Sequence, residues 1–472
     1  MKTSLQKAIG IALLSSATLA TTAQSAAFGI AENSALGIGN AFAGGAASAE
    51  DASTVWFNPA GMTRIKGNQI VIGGHLIAPS FDFDDEGSTT GLGAPISADR
   101  SKDGGRFAVV PNFYYVHSLS NELKLGIGIN APFGLATKYG NDWVGKYQAI
   151  ESEIVTVNFN PAIAWQATPD LSVGFGVSIQ YIEATLNNKI DFTTVCAGST
   201  LVLPGPAPTS TCSGAPGSNT NDGFAQLEAD DISYGFNFGA LYNFSDKTRI
   251  GFSYRSEIKH DLEGDADFSV PSTVLNDLGT ITSGNLQGTP LAVLPLGQAL
   301  GVVFADTKID VQPDMPATAS LSIHHQWNNR VAVMTDLTWV GWSSTPGLTI
   351  MFDNAAKSDS IEELRLKDNI RLSIGATYST DGRWTYRTGL AYDEGAARDQ
   401  STRSSRFPDN DRYWLTLGAS YQLSDALSID TGYAHIFVPD TKINRAGSTG
   451  DTLIGKYESD ADILSAQLRW DM

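Results

Sequence analysis

The residues that could do chemistry in this chain are few and scattered. Six histidines, His75, His117, His260, His324, His325 and His435, are the candidates for a base near neutral pH. A hydrolase working at a membrane face would set one of them beside a serine and a carboxylate, yet none stands in a nucleophile-elbow motif. They fall on strand-like stretches or at their ends, as structural or interfacial histidines do. Cys196 and Cys212 are the two cysteines, and both lie in one Gly/Pro/Ser/Thr-rich segment. Their spacing fits no zinc or redox motif. In an oxidising compartment they would staple that loop, adding about 3 kcal/mol on the chain-entropy account, with a reactive thiol as the alternative. Gly37-Ile38-Gly39 opens no βαβ unit, so no nucleotide site is expected, and neither is a cofactor, a metal or an enzymatic activity.

The elements that would hold these residues begin with an export signal. Lys2 and Lys7 precede an apolar run from Ala8 to Ala20, and small residues follow at Ala23, Ser25, Ala26 and Ala27. Residues 1–25 are therefore expected to be a signal peptide, with the mature chain starting between Ala26 and Phe28. No later stretch offers the run of apolar residues a spanning helix needs, so the product is either soluble or a β-barrel. The formal charge of −19 becomes −21 without Lys2 and Lys7, which argues against nucleic acid as a partner. Acidic groups such as Asp82, Asp84, Asp85 and Glu86 suit a solvated loop or, alternatively, a divalent-ion bridge to lipopolysaccharide.

From Ala41 to Gly61 the chain is dominated by Ala and Gly and shows neither strand nor helix periodicity. Small residues suit a confined space. Strict alternation then begins and keeps returning. Leu171, Val173, Phe175, Val177, Ile179 and Tyr181 alternate with Ser172, Gly174, Gly176, Ser178 and Gln180. Similar splits occur at 155–165, 232–244, 370–378 and 464–470. Such segments are expected of membrane strands with lipid outside and a polar lumen inside. Short connectors at 118–121, 168–170, 245–247, 328–330, 380–383 and 424–426 alternate with long ones at 82–104, 134–149, 193–229, 263–314, 353–365, 396–410 and 441–455. That rhythm predicts an all-β, antiparallel, membrane-spanning barrel of about 14 strands in a Gram-negative outer membrane. Residues 26–66 would be a hatch inside the lumen and 67–472 the barrel, with 193–229 and 263–314 its largest outer loops. Trp165, Phe244, Trp327, Tyr378, Trp384 and Tyr421 sit beside the short turns, where an interfacial girdle belongs.

Ala49-Glu50-Asp51-Ala52 followed by Asn58-Pro59-Ala60 resembles the hatch motif of the FadL-type outer-membrane transporters of long-chain fatty acids and hydrocarbons. Pro132 to Tyr139 with Gly145-Lys146-Tyr147, Gly251 to Ser256, and Phe407 to Trp414 are similar to the same family. The resemblance implies a monomeric barrel stoppered by a hatch including Phe28, Asn58, Pro59 and Ala60. It also implies an apolar capture groove between two outer loops and sideways release at a kinked third strand. Its partners would be a fatty acid or hydrocarbon together with outer-membrane lipid and lipopolysaccharide.

Two of these features have a physical counterpart here. The 263–314 loop carries Val274, Leu275, Leu278, Leu291, Leu294, Leu300 and Phe304, which form either a greasy mouth or a self-packed cap. Pro132 lacks an N–H and Gly134 permits a bend, so the ladder should break at Pro132-Phe133-Gly134, unless the strand simply ends early. The residues around Asn58 would then line the gap. Where fatty-acid members place cations, this chain has Asn188 and Glu362, with Lys189 and Arg365 close by as possible carboxylate partners.

Overall fold

A computed structural model describes residues 27–200, 214–276 and 296–472. The expected signal peptide and cleavage region before Ala27 lie outside the described residues. Among those described, fourteen antiparallel strands close into a barrel. They are β1 (Gln69–Asp85), β2 (Ser101–Asp103 with Ala108–Ser118), β3 (Leu123–Asn130 with Gly134–Lys138), β4 (Glu151–Gln166), β5 (Leu171–Asp191), β6 (Asp222–Ser245) and β7 (Thr248–Arg255 with Leu262–Ser269). There follow β8 (Thr307–Val311 with Thr318–Gln326), β9 (Val331–Val340 with Gly347–Phe352), β10 (Ser360–Glu363 with Asn369–Ser379), β11 (Trp384–Asp393), β12 (Arg412–Gln422), β13 (Leu427–Ala446) and β14 (Thr452–Asp471). β1 pairs with β14 from Gln69↔Asp471 to Asp85↔Gly455, which closes the sheet on itself.

The alternating residues face as the period-2 argument requires. Ile72, Phe175, Phe236, Phe238, Ile374 and Leu468 are exposed on the outer wall. Beside the short turns, Phe244 (69% exposed) and Trp327 (68%) project outward, and Tyr421 is half-buried against Trp384. The outer ends are more regular than the sequence suggests. β13 and β14 continue their ladder so far that the expected 441–455 loop shrinks to 447–451. Ladder pairing also extends into the expected 193–229 and 263–314 loops, because polar alternation continues beyond the lipid zone.

The lumen departs from the expectation of a polar bore. In its outer half the inward side chains of β4 to β9 are apolar: Ile154, Ile182, Leu186, Leu227, Leu262, Ile309 and Ile350. The outward positions of those strand ends are polar, as at Glu183, Glu228, Glu263, Asp265 and Lys308, so the alternation inverts there, with apolar side chains facing in and polar ones facing out. β7 to β10 are also interrupted, at 256–261, 312–317, 341–346 and 364–368. Pro313, Pro316 and Pro346 cannot donate to a ladder, and Arg365 adopts φ 44°. A two-residue ladder, Ile258↔Met315 and Lys259↔Asp314, joins two of the displaced segments.

Residues 27–65 cross the lumen as α1 (Ala35–Gly39), α2 (Thr54–Phe57) and a 3-10 turn, Pro59–Arg64. α1 packs on β11 to β14, and the 3-10 turn packs on β3 to β6. Small residues on both sides make this possible. A Cβ on Gly251 of β7 would overlap the Ala46 carbonyl, and one on Gly239 of β6 would overlap the Asn58 amide.

Candidate functional site

The N-terminal segment is held by donors on the barrel wall. Arg249 of β7 reaches the Ala47 and Ser48 carbonyls (3.1 and 2.9 Å), and Arg387 of β11 pairs with Glu50 at 2.8 Å. Asn58 caps the 3-10 turn by accepting from the Ala60 N–H, and its Nδ2 donates to the Ala46 and Ala240 carbonyls. Asn58, Pro59 and Ala60 therefore fasten the segment to β5 and β6. They do not line the strand break, as the sequence argument expected.

Phe28 to Ile30 take that place. β3 stops at Asn130 and resumes at Gly134, and its second part pairs with β4 but forms no regular ladder with β2. Pro132 removes the donor, and the orphaned groups find the N-terminal segment. Ile30 N–H donates to the Pro132 carbonyl and Gly134 N–H to the Phe28 carbonyl, each at 2.8 Å, around a Gly29↔Phe133 bridge. Below the break an amide chain continues the link: Asn130 Nδ2 to Asn33 Oδ1 (2.8 Å) and Asn158 Nδ2 to Asn130 Oδ1 (3.2 Å). Phe28 is 1% exposed and packs edge-on against Trp342 (4.6 Å between centroids), Phe407 (5.9 Å) and Phe133 (6.3 Å).

This aromatic cluster divides two spaces. Outward of it lies the apolar bore, with a void of about 30 Å³ bounded by Phe28, Ile182, Leu227, Leu262, Val311 and Met315. On its other side is a chamber of about 180 Å³ lined by Gly29, Ile30, Phe42, Trp56, Pro132, Phe133 and Trp342 together with Arg255, Asp336, Asn369, Arg371 and Asp393. The chamber touches the N-terminal segment, the β3 break and the interruptions in β7 to β10. Its lining intermixes aromatic rings and charged side chains, with Arg255 stacked on Trp56.

Of the site residues expected from sequence, the structure gathers Phe28, Pro132, Phe133 and Gly134. Val274 and Leu300 are buried in the same apolar cluster as Phe28, at a contact between α3 (Ser272–Leu275) and α4 (Leu296–Val303), while Leu275 is exposed and Phe304 partly buried. Leu278, Leu291 and Leu294 lie outside the described residues, as does Cys212, so the pairing expected for buried Cys196 is not described. The two expected carboxylate partners are not brought together. Lys189 shares Asp222 with Lys146, at 3.4 and 3.3 Å, and Arg365 is an exposed residue paired with Glu363. Arg255 and Arg371 are the chamber cations that sequence reasoning missed. Each occupies an inward strand position that looks like any lumen-facing polar residue.

A Ser465–His75–Asn112 chain is present, with contacts of 2.7 Å on each side of the ring. With the Asn112 amide donating to Nε2, the imidazole must donate to Ser465, the wrong direction for a general base. All three residues are buried, and none lines the cavities described above.

The profile of the family described as outer membrane protein transport protein (OMPP1/FadL/TodX) matches residues 16–472. The chain is 28% identical over 445 residues to outer membrane protein P1 of Haemophilus influenzae, covering 91% of this chain and 90% of that one. It is 29% identical over 435 residues to the long-chain fatty acid transport protein of Escherichia coli O6:H1, again covering 91% and 90%. The crystal structure of a Pseudomonas aeruginosa FadL homologue superimposes with a TM-score of 0.80 at 23% identity, covering 94% of this chain and 99% of that one. A match that runs the length of a stoppered, fourteen-stranded wall leaves one assignment: the chain belongs to the OMPP1/FadL/TodX family of transport proteins, is seated in the outer membrane of a Gram-negative bacterium, and is not an enzyme.

Proposed function

We propose that the chain takes up hydrophobic small molecules, with long-chain fatty acids as the leading substrate. Ligand is captured on the apolar surface of the outer loops and moves down the greasy bore past Phe28. It leaves sideways through the β3 break once the hatch, residues 27–65, shifts. The protein works as a monomer whose outer band meets lipid and lipopolysaccharide. A dry route suits this cargo, because each CH₂ moved into water costs about 0.8 kcal/mol. The observation that carries the reading is one continuous cluster of buried apolar residues from Val274 and Leu300 to Phe28, next to a chamber bounded by Pro132 and Phe133. The fatty-acid relative at 29% identity supports the substrate class.

The test replaces Pro132-Phe133-Gly134 with regular strand residues. Uptake of radiolabelled fatty acid should be lost while the barrel stays folded, and unchanged uptake would remove the side exit. A second reading, uptake of uncharged hydrocarbons, is favoured by the neutralisation of Lys189 and Arg365 by Asp222 and Glu363. Competition between a fatty acid and toluene for binding separates the two.

A further inference from the structure

We infer that Phe268, Phe304 and Phe352 form a cation box at the outer end of the apolar bore, filled by the chain's own Lys357, and that an alkyl quaternary ammonium amphiphile displaces that lysine. Binding there is independent of whether the molecule is then carried inward, so the inference goes beyond the uptake reading.

Two walls of the box belong to the barrel. Phe268 continues the inward stripe of Leu262 and Ala266 on β7, and Phe352 that of Leu348 and Ile350 on β9. Phe304 directly follows α4 and meets Phe268 edge-on, with 5.7 Å between centroids and 76° between planes. All three rings are partly buried against the apolar cluster that reaches Phe28, and none is sealed from solvent. Carboxylates brace the walls: the Phe268 N–H donates to Asp306 Oδ1 (2.8 Å) and the Phe352 N–H to Asp359 Oδ1 (3.3 Å). Their negative field favours a cation on approach.

Lys357 Nζ lies 4.2, 4.6 and 4.9 Å from the centroids of Phe304, Phe268 and Phe352. It is carried on a turn at Asn354, whose Oδ1 accepts from the Ala356 N–H (3.0 Å) and whose Nδ2 donates to the Val302 carbonyl (2.8 Å). Among the described residues the ammonium has no hydrogen bond and no carboxylate within 4.0 Å. The rings hold it by charge alone.

That is a poor match for a lysine. Ring faces attract positive charge but offer no acceptor to an N–H, and an ammonium brings three such donors. A quaternary ammonium carries the same charge without any N–H, so it enters the box and leaves no donor unpaired. Its alkyl tail also meets the apolar cluster beside the rings, and each methylene buried there adds to its hold. An uncharged alcohol gains the tail contacts without the attraction of the rings, and a carboxylate meets their negative faces.

The full-length protein in nanodiscs is titrated with octyltrimethylammonium, octanol and octanoate, with empty nanodiscs subtracted. Wild type should bind the quaternary ammonium about tenfold tighter than octanol. It alone should speed hydrogen exchange of the amides from Ala355 to Asp359, because the turn loses its anchored side chain. Lys357→Gln should tighten its binding roughly threefold or more, since the tethered competitor is gone. The variant Phe268→Leu/Phe304→Leu/Phe352→Leu keeps the site apolar and should bind it no better than octanol. Heat-modifiable gel mobility reports whether each barrel is folded. Phe304→Leu, outside the wall ladders, should lose part of the preference and decides the matter if the triple variant does not fold. Equal affinity for the quaternary ammonium and octanol, tighter binding of octanoate, or an undiminished preference in Phe304→Leu overturns the box. Unchanged exchange with the quaternary ammonium bound, or weaker binding by Lys357→Gln, overturns the displacement of the lysine.

Discussion

Phe28→Ala removes the ring that seals the aromatic cluster without touching the barrel wall. In a packed core, Phe→Ala costs about 3–5 kcal/mol. Phe28 sits near the expected start of the mature chain, where its surroundings can relax, so the lower end, about 3 kcal/mol, is the appropriate figure. At 1.4 kcal/mol per tenfold, the undocked population of residues 27–33 should rise roughly 100-fold. The assay is hydrogen exchange at the Ile30 and Gly134 amides, which donate across the junction between the segment and the break at 2.8 Å. Both should exchange roughly 100-fold faster, while amides in the β13–β14 ladder stay unchanged. An increase below about threefold at Ile30 and Gly134 would refute the claim that Phe28 latches the segment to the break.

Three further outcomes follow from particular contacts. Gly251→Val should stop the hatch from seating, since even a Cβ there overlaps the Ala46 carbonyl, and planar-bilayer conductance should rise above wild type. Asn130→Ala cuts the amide chain and leaves Asn33 Oδ1 and Asn158 Nδ2 without that partner; a buried unsatisfied group costs about 1–3 kcal/mol, so β3 amides should exchange faster by roughly tenfold or more. Lys357, in the outer 353–365 region, lies over the rings of Phe304, Phe268 and Phe352 at 4.2, 4.6 and 4.9 Å, and burial pushes its ammonium down to about 8. Its side-chain resonance should titrate near that pH. Because the unfolded loop keeps a proton that the folded loop gives up above pH 8, loop docking should strengthen as pH rises from there toward the ordinary lysine value.

The barrel was legible because its outward stripe obeys a single rule. Wherever lipid lies outside and the hatch or water inside, as along Leu171 to Tyr181, period-2 alternation and the short turns fix strand and face together. The rule inverts in the outer half of the barrel, where the bore is apolar and the outward positions are polar. Leu227 faces inward between the outward Gln226 and Glu228, a pattern that reads equally well as a lipid-facing leucine, so the greasy outer bore was not told apart from the outer wall. The interruptions in β7 to β10 were visible as Pro313, Pro316 and Pro346, but nothing local says that the displaced segments build a chamber. The gap between Asn130 and Gly134 has a local sign, legible in the missing donor of Pro132. What fills it has no such sign, because the pairing of Phe28 to Ile30 with residues about a hundred positions later is a tertiary fact. Arg255 and Arg371 were hidden for a related reason, since an inward arginine reads the same whether it faces water or a dry cavity.

The central claim is that cargo leaves through the β3 break only when residues 28–30 move away from it. Gly29 and Phe133 face each other in a bridge, so cysteines placed at both positions are close enough for a disulfide. Fatty-acid uptake by Gly29→Cys/Phe133→Cys should stop under oxidation and return on reduction, with wild type carried through both conditions to account for Cys196 and Cys212. Full uptake by the oxidised, cross-linked protein would contradict the account.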